Sequence, residues 1–236
     1  MKKVLIAAPL RQKPEIFEEY QKGLDNLIIP EDVLVDRFFV VNDCEEVIPY
    51  IRNADYIVND SENVTIYHNH LWTHDLVNKM GEMRNQTIQR ALEGGYDYLL
   101  SVDTDLVLEQ HTLQVLMNTG KDIVAGLFWT NGWSNAWMYD QAAGYDPQWA
   151  EPGLYRVGGT GALILISRKV MEAGVDYSNI PCLRKAVFGE DRHFCIRAAC
   201  HGFEIWADSH CLPVHLYTDK AYSAYMAGEM KTCFRK

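Results

Sequence analysis

The sequence predicts an α/β fold: one domain with a mainly parallel central sheet flanked by helices. Three observations carry that prediction. Residues 4–8 (Val-Leu-Ile-Ala-Ala) are a continuous apolar run, the mark of a strand covered on both faces. Strand-like runs then alternate with segments of helical spacing, which calls for right-handed crossovers and parallel pairing. Successive strand candidates also end in polar residues (Asn42-Asp43, Asn59-Asp60, Asp103-Thr104-Asp105), as expected where a ligand crevice lies beyond the carboxyl ends of an open sheet.

Element by element, Pro9-Leu10-Arg11 is expected to turn the chain out of the first strand. Residues 15–27 then carry helical spacing in Ile16, Tyr20, Leu24 and Leu27. Strands are expected over 36–43 and 56–60, with a helix over 45–52 between them. A long helix is expected over 71–93, with Leu76, Met80, Met83, Ile88 and Leu92 one or two turns apart and Gly94-Gly95 as its stop. It leads into a strand over 98–102 that ends in the two acids. A helix carrying Leu113, Leu116 and Met117 and a strand over 122–128 follow.

Residues 129–153 lose this periodicity and hold four of the six tryptophans, Trp129, Trp133, Trp137 and Trp149, with Tyr139 and Tyr145. Aromatic faces in such a loop suit stacking on sugar rings or apolar ligands, and equally suit packing the excursion onto the domain. Residues 157–166 form a glycine-rich turn feeding an apolar strand. Because Gly159 and Gly161 precede the strand rather than follow it, this is no dinucleotide fingerprint; they permit close approach of backbone to a ligand. Residues 188–202 open with Gly189, Glu190 and Asp191 and turn helical. A short strand over 203–207 and a loop lead to His215, set between apolar neighbours. Residues 218–236 read as a tail or lid.

A composition of 48% hydrophobic and 23% charged residues is that of an ordinary globular protein. With 22 basic against 32 acidic residues the net charge is −10, which disfavours broad nucleic-acid or anionic-membrane binding. No apolar run approaches bilayer length. The amino terminus resembles a short signal peptide but is interrupted by Pro9 and Arg11, so it is read as a strand and the chain as cytoplasmic. The six cysteines show no paired spacing and are expected to be reduced.

Two acidic pairs carry the chemistry. Side chains at i and i+2 of an extended segment share a side, so Asp103 and Asp105 could converge on one hard cation, although Asp is also simply favoured in turns. Glu190 and Asp191 are favoured at a helix start by its dipole, and Asp191 there could serve as a general base. A rival constellation is His68, His70 and His74, which could ligate zinc in a hydrolase, though the spacing fits no defined zinc signature.

In order and spacing these features resemble the GT-A glycosyltransferases, most closely the inverting enzymes of family 2, from residue 4 to about 217. Arg84-Asn85 before the strand, Asp103-Thr-Asp105 at its end, Gly159-Thr-Gly161 through Arg168, the Glu190-Asp191 pair and the late His215 match that pattern. The resemblance implies a 1–105 nucleotide-binding half and a 122–217 acceptor and catalytic half. Pro9, Arg11, Asp43 and Arg84 would hold the donor nucleotide together with Asp103 and Asp105. Asp103, Asp105 and His215 would hold Mn²⁺ or Mg²⁺, and Asp191, beside Glu190, would be the base. Trp129, Trp133, Trp137, Gly159 and Gly161 would line the acceptor site. A UDP-sugar is the favoured donor. The acceptor could be a glycan, a lipid-linked glycan, a peptide or a modified nucleobase, with nucleic acid disfavoured by the net charge. The alternative class is a nucleotide- or carbohydrate-binding protein without transfer activity.

Overall fold

The computed structural model describes residues 1–59, 73–130, 132–137, 151–183 and 189–230. Among them, strands β1 (Lys2–Leu10), β2 (Val33–Asn42), β3 (Asp55–Asn59) and β4 (Tyr98–Val102) pair in parallel, connected by α1 (Pro14–Asp25), a 3-10 turn (Glu45–Tyr50) and α2 (His74–Glu93). After β4 come β5 (Leu106–Val107), α3 (Thr112–Asn118) and β6 (Ile123–Gly126). Three two-residue strands follow, β7 (Trp129–Thr130), β8 (Trp133–Ser134) and β9 (Ala136–Trp137). The chain continues through β10 (Leu154–Val157), β11 (Gly159–Thr160), β12 (Leu163–Ser167) and α4 (Arg168–Glu172). It closes with α5 (Glu190–Cys200), β13 (Ile205–Asp208), β14 (Val214–His215) and α6 (Asp219–Met226).

One eight-stranded sheet runs β10-β13-β6-β12-β4-β1-β2-β3. Only β12 and β10 oppose the common direction, β12 being antiparallel to both β4 and β6 and β10 to β13. The mainly parallel α/β expectation therefore holds, and the continuous apolar run of β1 has its reason. Leu5 and Ala7 face a core shared with Met83 and Ile88 of α2 and Phe194 of α5. Val4, Ile6 and Ala8 face the opposite core, with Phe17 and Tyr20 of α1 and Leu113 of α3. A strand buried on both faces cannot alternate apolar with polar.

Several local expectations are corrected. The strand expected over 4–8, with a turn from Pro9, continues to Leu10; its pairing with β4 stops at Ala7, so the imino nitrogen of Pro9 lies beyond that ladder. The helix expected over 45–52 is a 3-10 turn with Pro49 inside it, and the missing amide of proline prevents regular α propagation. The long helix begins at His74, where the Thr73 hydroxyl accepts from Leu76 N–H. Arg168, part of the glycine-turn motif, sits at the opposite end of β12 from the turn. It opens α4 and donates to the carbonyls of Leu92 and Tyr96, closing the carboxyl end of α2. Residues expected to form a tail or lid begin with α6, capped by the Thr218 hydroxyl and tied to Lys13 through Asp219. Asp60, His68, His70, Tyr139, Tyr145 and Trp149 lie outside the described residues.

Candidate active site

The two acids of Asp103-Thr-Asp105 leave the carboxyl end of β4 and go separate ways. Asp103 turns toward the α2 side, where its Oδ1 accepts from Arg84 Nη2 at 2.8 Å. Asp105 turns toward β14. The antiparallel pairing of β5 with β14 sets His215 opposite Leu106, and the Leu216 N–H donates to the Asp105 carbonyl at 2.8 Å. This brings His215 Nε2 to 3.2 Å from Asp105 Oδ2, while its Nδ1 lies 2.9 Å from the Thr130 hydroxyl. Phe128 and Tyr217 pack against the imidazole. The other oxygen of Asp105, Oδ1, is buried with no hydrogen-bond partner among the described residues.

Arg84 is the buried centre of the site, its side chain 2% exposed. Nε donates to Glu190 Oε1 at 3.2 Å, Nη1 to Ser101 Oγ at 3.2 Å, and Nη2 to Asp103. Asp191 Oδ1 is 3.9 Å from Nε, and the Tyr177 ring lies 5.6 Å from the guanidinium carbon. Burial alone disfavours the charge on Arg84, but Asp103, Asp191 and Glu190 outweigh it and hold the group protonated. One cation thus faces three carboxylates, and the imbalance appears in the acids. Burial pushes the Asp191 carboxyl well above the usual carboxylate range; the Glu190 charge adds to this and Arg84 opposes it. Asp103 is raised by burial against the pull of Arg84.

Asp191 owes its place to two glycines. Gly189, at φ +118°, occupies backbone space that only glycine enters readily, and turns the chain into α5 with Glu190 and Asp191 in its first turn. Gly161 lies directly against the carboxylate, so closely that a Cβ there would sit 1.9 Å from Asp191 Oδ2. The glycine turn is held from both sides. Ala162, at φ +68°, accepts at its carbonyl from Asp103 N–H at 2.8 Å. Asn135 Nδ2 donates to the carbonyls of Gly126 and Gly161 at 2.9 and 3.0 Å, while its Oδ1 accepts from Phe128 N–H at 2.9 Å. Asp191 makes no hydrogen bond among the described residues and is 27% exposed, so its carboxylate is open to a ligand.

The remaining expected residues spread along the same sheet edge. Pro9 is buried within β1 and Arg11 follows it. Asp43, at φ +48° just past β2, is 3.5 Å from Lys79 Nζ and accepts from Asn42 Nδ2 at 3.1 Å. Trp129 and Trp137 pack against the core margin, whereas Trp133 is 58% exposed. Gly159 lies against the Trp137 ring, and the Arg192 guanidinium sits 4.8 Å above that ring's centroid. His74 opens α2. A cavity of about 620 Å³ lined by Phe38, Tyr56, Gln86 and Arg90 lies beside the amino end of the edge strand β3, whereas Asp105 follows the carboxyl end of β4.

Three contributors had no signal in the sequence. Asn135, Thr130 and Ser101 are common residue types without a motif, and only the folded chain brings them to the site. For a divalent cation, the described residues hold no group of three His, Cys, Asp or Glu that could bind it unaided. They do hold the unpaired Asp105 Oδ1 beside an imidazole. One carboxylate and one imidazole are donors suited to Mn²⁺ or Mg²⁺ once further oxygen ligands complete the shell, and the imidazole favours Mn²⁺. Asp103, the other expected ligand, accepts at Oδ1 from Arg84.

No family model and no curated protein matches this chain. Solved structures do match it. The catalytic domain of Drosophila beta1,4galactosyltransferase 7, in complex with xylobiose, aligns over 100% of this chain and 76% of its own, at 14% identity and a TM-score of 0.54. S. aureus TarS 1-349 in complex with UDP-GlcNAc aligns over 95% of this chain and 62% of its own, at 13% identity and a TM-score of 0.55. The mannosyltransferase PcManGT from Pyrobaculum calidifontis, in complex with GDP-Man and Mn2+, aligns over 94% and 59%, at 13% identity and 0.53. The chain spans about three-fifths of the length of the last two. At such identities the likeness concerns architecture, and on that ground the chain has the GT-A fold of the glycosyltransferases.

Proposed function

We propose that this protein transfers a sugar from a nucleoside-diphosphate donor to an acceptor hydroxyl, with inversion at the anomeric carbon and Asp191 as general base. The observation that carries this reading is an unbonded carboxylate of raised basicity, Asp191, on the same sheet edge as Asp105 and its unpaired Oδ1. Structural carboxylates are bonded, and ones with raised pKa that face a crevice are suited to proton abstraction near neutral pH.

The chemistry balances as a single displacement. Asp191 takes the proton of the acceptor hydroxyl as its oxygen attacks the anomeric carbon from the face opposite the diphosphate. The bond from acceptor oxygen to anomeric carbon forms as the bond to the leaving phosphate oxygen breaks, with its electron pair departing on the diphosphate. Asp105 and His215 would hold a divalent cation, which when bound neutralises charge on the leaving group. Arg84 keeps Glu190 and Asp103 compensated, so that Asp191 is the acid left free to exchange a proton. Residues 1–105 would bind the donor, with Pro9, Arg11 and Asp43 toward the nucleoside, and residues 122–217 the acceptor. The exposed Trp133 and the Trp137–Arg192 stack offer an acceptor a flat apolar face beside a cation.

Calorimetric titration with UDP, GDP, CDP and dTDP, each with and without Mn²⁺, tests the donor side, with Asp105→Asn in parallel. Cation-dependent binding of one nucleotide, lost in the variant, supports the reading and identifies the base. The matching nucleotide sugar, with UDP-GlcNAc and GDP-mannose as the first two, is then assayed for cation-dependent hydrolysis and for the anomer released. Absence of nucleotide binding under every condition refutes transfer. Binding without hydrolysis leaves a nucleotide-binding protein.

A further inference from the structure

The geometry points to a division of labour within Asp103-Thr-Asp105: Asp103 is not a cation ligand but a positioning residue that, through Arg84, fixes Glu190 and Asp191 at the start of α5. The inference rests on the proposed transfer for its catalytic meaning and on geometry for its content. Asp103 and Asp105 are two residues apart, yet each is committed to a different partner across the sheet edge: Asp103 Oδ1 to Arg84 Nη2 at 2.8 Å, and Asp105 Oδ2 to His215 Nε2 at 3.2 Å. Each of the three nitrogens of the Arg84 fork has a partner. Nη1 and Nη2 lie against Ser101 and Asp103 at the end of β4, which leaves Nε aimed at α5. A planar guanidinium has one orientation once two of its nitrogens are fixed, so holding Nη1 and Nη2 determines where Nε points.

Nε is the atom that meets α5. It donates to Glu190 Oε1 at 3.2 Å and lies 3.9 Å from Asp191 Oδ1. Arg84 is buried, so it has no solvent to reorganise if Asp103 lets go. A second strut parallels the first: the Asp103 N–H holds the Ala162 carbonyl, and the neighbouring Gly161 packs on the Asp191 carboxylate. Asp103 therefore sets the base from two directions, by side chain through Arg84 and by backbone through the glycine turn. Asp103→Asn keeps the shape and the backbone strut but replaces the charged acceptor by a neutral amide, so it weakens the first strut alone.

The test compares Asp103→Asn, Arg84→Lys and Asp105→Asn in the full chain. Mn²⁺ binding is read by electron paramagnetic resonance, with and without the nucleotide selected by calorimetry, and turnover by hydrolysis of its sugar donor. Asp103→Asn and Arg84→Lys are expected to bind Mn²⁺ and nucleotide within about threefold of the parent while turnover falls about 30-fold or more, the signature of lost positioning. Asp105→Asn is expected to lose cation binding. If Asp103→Asn weakens Mn²⁺ binding as much as Asp105→Asn does, Asp103 is a ligand and the inference is wrong. A readout without nucleotide separates this outcome from failure of the transfer reading: proton exchange of the Arg84 Nε–H followed by ¹⁵N NMR. It should be slow in the parent and in Asp105→Asn, and faster in Asp103→Asn; equal exchange in all three overturns the inference even if transfer is established.

Discussion

Replacing Gly161 with alanine puts a methyl group where the proposed base now lies. The new Cβ would stand 1.9 Å from Asp191 Oδ2, 2.4 Å from Cγ and 3.1 Å from Cβ. Restoring ordinary contact at 3.4 Å requires the carboxylate oxygen to move by about 1.5 Å, through rotation of the short Asp191 side chain. Gly161 is not in the left-handed region, so alanine brings no backbone strain of its own. The colliding atoms end a short side chain that can rotate about its bonds, so the fold can yield; the expected cost is at the low end of overpacking, about 1 kcal/mol. Catalysis tolerates less, since misplacing a reacting group by about 1 Å costs on the order of 100-fold. Gly161→Ala is therefore expected to keep nucleotide binding and a nearly unchanged melting temperature while cation-dependent donor hydrolysis falls about 100-fold. Hydrolysis within about threefold of the parent would refute the placement of Asp191 as base. A drop in melting temperature beyond about 10 °C would instead mean that the fold, not the base, gave way.

Asp191→Asn separates function from stability. It should lower turnover by about a thousandfold, as loss of a general base does. Its effect on stability has the opposite sign: the folded pKa lies above the unfolded value, so the folded state binds the proton more tightly, and stability is lost as pH rises through that interval. At neutral pH the asparagine variant should melt at the same temperature as the parent or higher, the difference vanishing below about pH 4. The parent's kcat/KM should fall on the acid side with an apparent pKa above the ordinary carboxylate range, read from a pH–rate profile. Thr130→Val removes the hydroxyl at His215 Nδ1 and should weaken Mn²⁺ binding about tenfold by direct titration, as loss of a ligand-orienting contact does. Asn135→Ala deletes the bonds joining Gly126, Phe128 and Gly161 and should cost about 2–4 kcal/mol in denaturant unfolding.

Much of this molecule was legible before folding. The apolar run of β1, the long helix ending at glycines, and acids at the end of β4 are local patterns, governed by the period of each element and by what must be buried. Local pattern also singled out Asp105, as an acid at the end of a strand, and Asp191, as an acid at a helix start, whereas His215 stood out only through the resemblance to the glycosyltransferases. Boundaries were less secure where one residue overrides its neighbours, as Pro49 does in the 3-10 turn.

The partners of those residues were decided elsewhere. Two acids in Asp-x-Asp spacing share a side in an extended strand, but β4 has already ended at Val102, so nothing obliges Asp103 and Asp105 to converge. Their directions follow from neighbours brought from positions 84, 162 and 215, which pairing of β5 with β14 and packing of α2 against α5 place on opposite sides of the chain. Sequence determined the elements and the order of chemical groups along them, because those depend on local burial and backbone preference. Tertiary structure alone decided which group touches which, because hydrogen bonds and desolvation act between atoms that are distant along the chain.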